Sequence, residues 1–161
     1  MRTNDVIEDY LIVILDNRPM YRAGIKSILQ SVTPTCRFTE HHSLSELPVC
    51  SPTSSGVYFF IRVGDMSDKS IIENVKKLRS ACKMCKIILY DYQQRIEHIV
   101  NFFQEKIDAY LPDDFSGEEL KECFSSLTKN RMYLNTQIAV ELLVKTPNIR
   151  SRRNFKFANA I

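Results

Sequence analysis

At 161 residues the chain suits one domain with an extension, because domains run to roughly 100–150 residues. It is 44% hydrophobic and 25% charged, and no apolar run approaches the roughly 18 residues of a membrane span, which argues against insertion. The net charge of +3 is uneven: residues 1–144 carry 17 bases and 19 acids, while Lys145, Arg150, Arg152, Arg153 and Lys156 follow without an acid. That balance argues against a nucleic-acid face on the body and leaves any such affinity to the RSRRNFKF stretch, which otherwise reads as a solvated tail.

The opening MRTNDVIEDY is acidic and lacks the apolar stretch of a secretory signal, so a cytoplasmic protein is expected. Tyr10–Leu15 is an uninterrupted apolar run bounded by turn residues, the pattern of a strand buried on both faces of a parallel sheet. Asp16 and Asn17 leave that strand at the carboxyl edge, where open α/β proteins place their sites. A helix is predicted over Met20–Gln30, with Pro19 in its first turn and Met20, Ile25, Ile28 and Leu29 at helical spacing. A weak strand, Cys36–Thr39, a poor helix, Ser43–Leu47, and a Pro/Ser-rich loop, Val49–Gly56, come next.

Val57–Ile61 is a second fully apolar strand, followed by a helix over Ser67–Ser80, a strand over Lys86–Tyr90 and a helix over Arg95–Lys106. A short strand, Asp108–Leu111, and a helix over Ser116–Leu127 complete the series; Ser116 can cap that helix, with Glu118 and Glu119 complementing its dipole. The alternation predicts a doubly wound α/β fold on a five-stranded parallel sheet with five helices. Cys82 and Cys85 form a lone C-x-x-C. No second pair of ligands accompanies it for zinc, and it does not open a helix as a redox pair would, so these thiols read as structural. The four glycines are isolated, no nucleophile triad or phosphate loop appears, and neither a cofactor nor an enzyme activity is expected.

The order and spacing resemble the receiver domains of bacterial response regulators, within the group carrying LuxR-type (NarL-type) DNA-binding domains; the implied fold is flavodoxin-like, or CheY-like. LDNRPMYRAGIKSIL is similar to that group's opening strand, acidic pair, His-Pro and helix. IDAYLPDDFSGEELKECF resembles its G-A-x-G-Y-L-x-K-D-x-x-x-E-E-L, and NRMYLNTQIAVELL resembles the segment leading out of the receiver.

The resemblance implies Mg²⁺-assisted phosphoryl transfer to an aspartate, and each required part can be sought here. Mg²⁺ wants oxygen ligands, one or two of them carboxylates, yet the acidic pair is Asp16 and Asn17, leaving Asp16 as the one possible metal ligand of the two. VYFFIRVGDMSD, set against the family's V-V-x-L-D-x-x-M-P, places Ile61 at the phosphoacceptor position, and an aliphatic side chain is neither nucleophile nor ligand. Asp65, the nearest carboxylate, would need a shift that pushes the apolar run out of the core. The family's hydroxyl after the fourth strand is matched by Asp91, and its Lys after the fifth by Asp113; both replacements repel phosphate.

These departures imply a pseudo-receiver controlled without phosphorylation, acting as a homodimer or as a heterodimer with another response regulator. Phe102 and Tyr110 are the candidate anchors of its interaction surface. A second reading makes Asp16, Asn17, Asp91 and Asp113 an acidic pocket that senses a cation or ligand, or in which close carboxylates raise one another's pKa. The expected layout is a receiver-like domain over 1–128, a linker helix over 129–146 and a basic tail over 147–161. DNA would be contacted only through a C-terminal helix-turn-helix domain, which FKFANAI does not supply.

Overall fold

A computed structural model describes residues 10–46, 56–93 and 95–145. The strands are β1 (Tyr10–Leu15), β2 (Arg37–His41), β3 (Gly56–Arg62), β4 (Lys86–Asp91), β5 (Ala109–Pro112) and β6 (Tyr133–Leu134). The helices are α1 (Pro19–Val32), α2 (Asp68–Ala81), α3 (Ile96–Gln104), α4 (Gly117–Thr128) and α5 (Thr136–Lys145), with a 3-10 turn at Leu44–Glu46 where the poor helix was expected. All strands are parallel, in the order β2-β1-β3-β4-β5-β6.

The sheet therefore has six strands where the sequence predicts five. The additional strand, Tyr133–Leu134, is too short to show a period; it exists because Tyr133 N–H donates to Asp108 O at 2.9 Å and its two residues pair with Ala109 and Tyr110. The expected loop over Val49–Gly56 falls outside the described residues except for Gly56, which begins β3, and the basic residues beyond Lys145 lie wholly outside them.

Strand side chains alternate between two cores, as the period of two requires. Ile12, Ile14, Tyr58, Phe60, Ile88 and Tyr90 face Ile25 and Leu29 of α1 and Leu120, Phe124 and Leu127 of α4. Val13, Leu15, Phe59, Ile61, Ile87 and Leu89 face Val75 of α2, Ile99 and Phe102 of α3, and Ile138 and Leu142 of α5. Burying each such Leu, Ile or Phe stabilises by about 1.5–3 kcal/mol. Phe60→Ala, at a site with no exposed surface, would cost about 3–5 kcal/mol. The helix expected as a linker is thus part of a core: Ile138 and Leu142 are buried, and α5 packs on α3.

Local chemistry fixes the helix starts. Ser116 Oγ accepts from Glu119 N–H at 3.1 Å, the cap predicted for α4; Ser67 caps α2 by accepting from Ser70 N–H at 3.2 Å, and Asn135 Oδ1 accepts from Ile138 N–H at 2.8 Å for α5. In α1, Pro19 occupies the first turn without a side-chain cap, and the carboxylate of Asp16 instead accepts from Arg18 N–H at 2.9 Å.

Candidate functional site

The carboxyl ends of β1, β3, β4 and β5 bring Asp16, Arg62, Asp91 and Asp113 to one edge, as the fold predicts. Asp16 and Asp91 are buried, whereas Asn17 is exposed. The carboxylates do not form an open acidic pocket, because arginines fill it. Arg18 Nη1 and Nη2 donate to Asp113 Oδ2 and Oδ1 at 2.9 and 2.7 Å, and its Nε and Nη2 donate to Asp16 Oδ1 and Oδ2 at 3.0 and 2.9 Å. One planar guanidinium thus serves two carboxylates, the two-point geometry that a lysine cannot supply. Tyr90 O–H donates to Asp16 Oδ2 at 2.7 Å, and Arg22 Nη1 donates to the Asp16 carbonyl at 2.5 Å. The Arg18 guanidinium also lies 3.4 Å from the Tyr21 ring centroid.

This arrangement reverses the expectation that neighbouring carboxylates raise one another's pKa. Burial pushes Asp16 upward, but hydrogen bonds from Arg18 and Tyr90 and the Arg18 charge outweigh it, so the carboxyl is held below its usual range. Burial by itself would lower the Arg18 value; Asp16 and Asp113 more than offset it, and the guanidinium is held more firmly charged. Tyr90 is driven upward, first by burial and then by the Asp16 charge, and stays neutral.

Asp91 turns to a second arginine. Arg95 Nε lies 2.9 Å from Asp91 Oδ2, an ion pair without hydrogen-bond alignment, while Nη1 donates to Met66 O at 2.6 Å and Asp68 Oδ1 at 3.0 Å, and Nη2 to Gly64 O at 2.7 Å. Arg95 thereby fastens the loop after β3 to the end of β4. That loop turns at Gly64, whose φ of +50° lies in the left-handed region that glycine enters without strain. Arg62, at the end of β3, reaches to 3.9 Å from Asp113 Oδ1. Three arginines thus face three aspartates along the edge.

The strand register moves the expected acceptor position. Ile61 pairs with Leu15 and Leu89 inside the sheet and belongs to the core; one step further, Arg62 pairs with Tyr90. Val63 N–H donates to Tyr90 O at 3.1 Å, which places Val63 level with Asp91. Met66 follows Val63 by three residues, matching the spacing D-x-x-M. The edge position is Val63, not Ile61. The chemistry is unchanged, since Val63 is a buried aliphatic residue that can neither accept a phosphoryl group nor bind a metal.

Phe102 and Tyr110 are not surface anchors. Both have no exposed surface, with rings stacked at 6.3 Å. Tyr110 tolerates burial because its hydroxyl donates to Asp91 Oδ2 at 3.3 Å and accepts from Arg95 N–H at 3.2 Å. Among the described residues no group of three His, Cys, Asp or Glu side chains is arranged to hold a metal ion, and Arg18 already occupies the oxygens of Asp16. The residues that sequence reasoning passed over are Arg18, Arg62 and Arg95. Their signal was present: each stands within four residues of the end of β1, β3 or β4, beside a carboxylate edge that needed a counter-charge.

No protein-family model matches the sequence, and no curated protein matches it. Solved structures do. A LuxR family DNA-binding response regulator from Silicibacter pomeroyi superposes with a TM-score of 0.64 at 15% identity, over 80% of this chain and 98% of that one. The isolated REC domain of RcsB from Salmonella enterica serovar Typhimurium, in the presence of phosphomimetic BeF3−, gives 0.66 at 13% identity over 82% and 96%. A structure of two RcsB dimers bound to two parallel DNAs gives 0.66 at 14% over 83% and 66%. At these identities the likeness is one of fold: the chain has the receiver fold, with arginine-filled acids along its carboxyl edge.

Proposed function

We propose that this chain is a phosphorylation-independent receiver-like domain of a bacterial LuxR-type transcription regulator. It works in the cytoplasm through a homodimer or a heterodimer with an intact response regulator, not as an enzyme, and reaches DNA only through a separate C-terminal domain. The observation that carries this reading is the Arg18 guanidinium between Asp16 and Asp113. Mg²⁺ would need oxygens of those carboxylates, and a cation already holds them. The absence of a nucleophile at Val63 supports the same reading, as does the dimeric, DNA-bound state of RcsB, a protein of the same fold.

An ordinary receiver is driven between states by its phosphoryl group, and moving an equilibrium from 1:99 to 99:1 takes about 5.5 kcal/mol of differential binding. Here a partner that prefers one arrangement of the helices must provide that bias. The test is intact-mass analysis after incubation with Mg²⁺ and acetyl phosphate, beside a functional receiver as control. The expected result is a labelled control and no adduct on this chain; a stoichiometric phosphoryl adduct would overturn the reading. Sedimentation of the chain, alone and mixed with candidate response regulators, tests the dimer.

A further inference from the structure

The opposite edge of the sheet carries a concavity of its own. A space of about 870 Å³ lies between the C-terminal ends of α2 and α3, the start of β4 and the residues leading into β5. Ligand sites are commonly concavities of about 300–1,000 Å³. The lining holds five cations (Lys76, Arg79, Lys83, Lys86 and Lys106) against two acids (Glu105 and Asp108), an excess of three positive charges. Residues 1–144 carry 17 bases against 19 acids, so this excess is a local concentration. Such a concavity with low-dielectric walls focuses the field and gathers anions.

The five cations are not equivalent. Arg79 serves the fold: Nη1 donates to the carbonyls of Lys83 and Cys85 at 3.3 and 2.5 Å, and Nη2 donates to Lys106 O and, at 2.9 Å, to Asp108 Oδ2. Lys86 Nζ lies 3.8 Å from Asp108 Oδ1, and Lys76 Nζ lies 3.6 Å from Glu105 Oε1. Lys83 and Lys106 are exposed, and neither has an ion-pair partner among the described residues. The uncharged lining combines Ser80 and Gln104 with the apolar Phe103, Ile107 and Met132; Phe103 and Ile107 are largely buried behind it, and Met132 is partly exposed. Met84, 88% exposed, stands at the rim with a flexible, polarizable thioether suited to cover a flat ring.

We propose that this concavity binds a small phosphorylated molecule with a planar apolar portion, of the nucleotide class. Lys83 and Lys106 meet its phosphates, and its ring lies against the accessible thioether side chains of Met84 and Met132. The two lysines are point charges on flexible stems, without an ion-pair partner among the described residues, which suits phosphate oxygens. The apolar lining favours a small amphiphilic anion over a bare ion, which would leave that surface unused. The site is independent of the carboxyl edge, so it stands or falls apart from the phosphorylation-independent reading.

Calorimetric titration of the full chain with ADP, adenosine and inorganic pyrophosphate tests the proposal. ADP should bind at least about tenfold more tightly than adenosine or pyrophosphate, because charge and apolar contact act together. Lys83→Glu/Lys106→Glu should weaken ADP by about tenfold or more, and Lys83→Ala/Lys106→Ala by less. Arg152→Glu/Arg153→Glu, in the basic tail, should leave binding unchanged. Circular dichroism checks that the variants are folded, which the exposure of both lysines favours. The proposal is overturned by no heat with ADP, by pyrophosphate binding as well as ADP, or by ADP binding that survives the lysine changes or is lost with the tail change alone.

Discussion

Arg18 Nη2 lies 2.7 Å from Asp113 Oδ1 while Nη1 lies 2.9 Å from Asp113 Oδ2, a parallel fork joining residues 95 positions apart in the chain. The same guanidinium neutralises the buried Asp16. Arg18→Ala leaves the buried Asp16 without its cation and Asp113 with only the looser approach of Arg62 at 3.9 Å. It should lower unfolding free energy by about 2–4 kcal/mol in urea, short of the extreme for buried pairs because 26% of the Arg18 side chain is exposed. Arg18→Lys should recover only part of the loss. In Arg18→Ala, millimolar Mg²⁺ should raise the melting temperature, and in the parent it should not. A variant as stable as the parent would refute the bridge.

Stability should fall at both ends of the pH scale, for different reasons. The folded pKa of Asp16 is depressed, so its contribution is whole above the unfolded value of about 3.9 and is lost as pH falls through the folded value. Tyr90, Tyr110 and Tyr133 are raised, burial being the largest cause in each; their contribution is whole below the unfolded value of about 10 and is lost as pH climbs toward the folded values. Urea midpoints measured across this range should show a shallower acid limb in Asp16→Asn and a shallower alkaline limb in Tyr90→Phe.

Arg95→Ala removes the fastening between the end of β4 and the loop after β3, leaving Asp91 buried without its cation. A loss of about 3 kcal/mol is expected. Amide exchange at residues 64–68 should accelerate more than exchange in α1. Uniform acceleration across the domain would mean that Arg95 acts on global stability alone.

The thiols should react in a fixed order. Cys85 is buried and its thiol is pushed up to about 12, chiefly by burial, and Cys123 is buried and raised well above its ordinary value. Cys82, at the end of α2, is partly exposed. Brief alkylation near neutral pH followed by peptide mapping should therefore label Cys82 before Cys85 and Cys123. Early labelling of Cys85 would contradict the packing around the start of β4.

The sheet was legible because Tyr10–Leu15, Val57–Ile61 and Ile87–Tyr90 are short runs that are apolar without interruption and bounded by turn or charged residues, a pattern that suits a strand covered on both faces. The 3-10 turn at Leu44–Glu46 and the two-residue β6 were not, since neither is long enough to repeat. The edge acids were legible by position. What they do was not, because the sign of a pocket depends on side chains arriving from other elements: Arg18 meets Asp113, which lies 95 positions further along the chain. Phe102 read as a potential anchor because helical spacing alone does not say which side of the apolar stripe is covered; α5, returning across α3, covers it.

The short β6 has a bearing on how copies could assemble. It occupies the outer side of β5, pairing with Ala109 and Tyr110, and offers only two residues of its own as a template. At the other margin β2 points Arg37 and Glu40 outward, the latter tied to Arg22 at 3.3 Å. Short strands and charges of this kind discourage continuation of a sheet from one molecule into the next. A partner would therefore meet helices, whose exposed apolar side chains include Met20 and Val32 on α1 and, one turn apart on α5, Val140 and Val144.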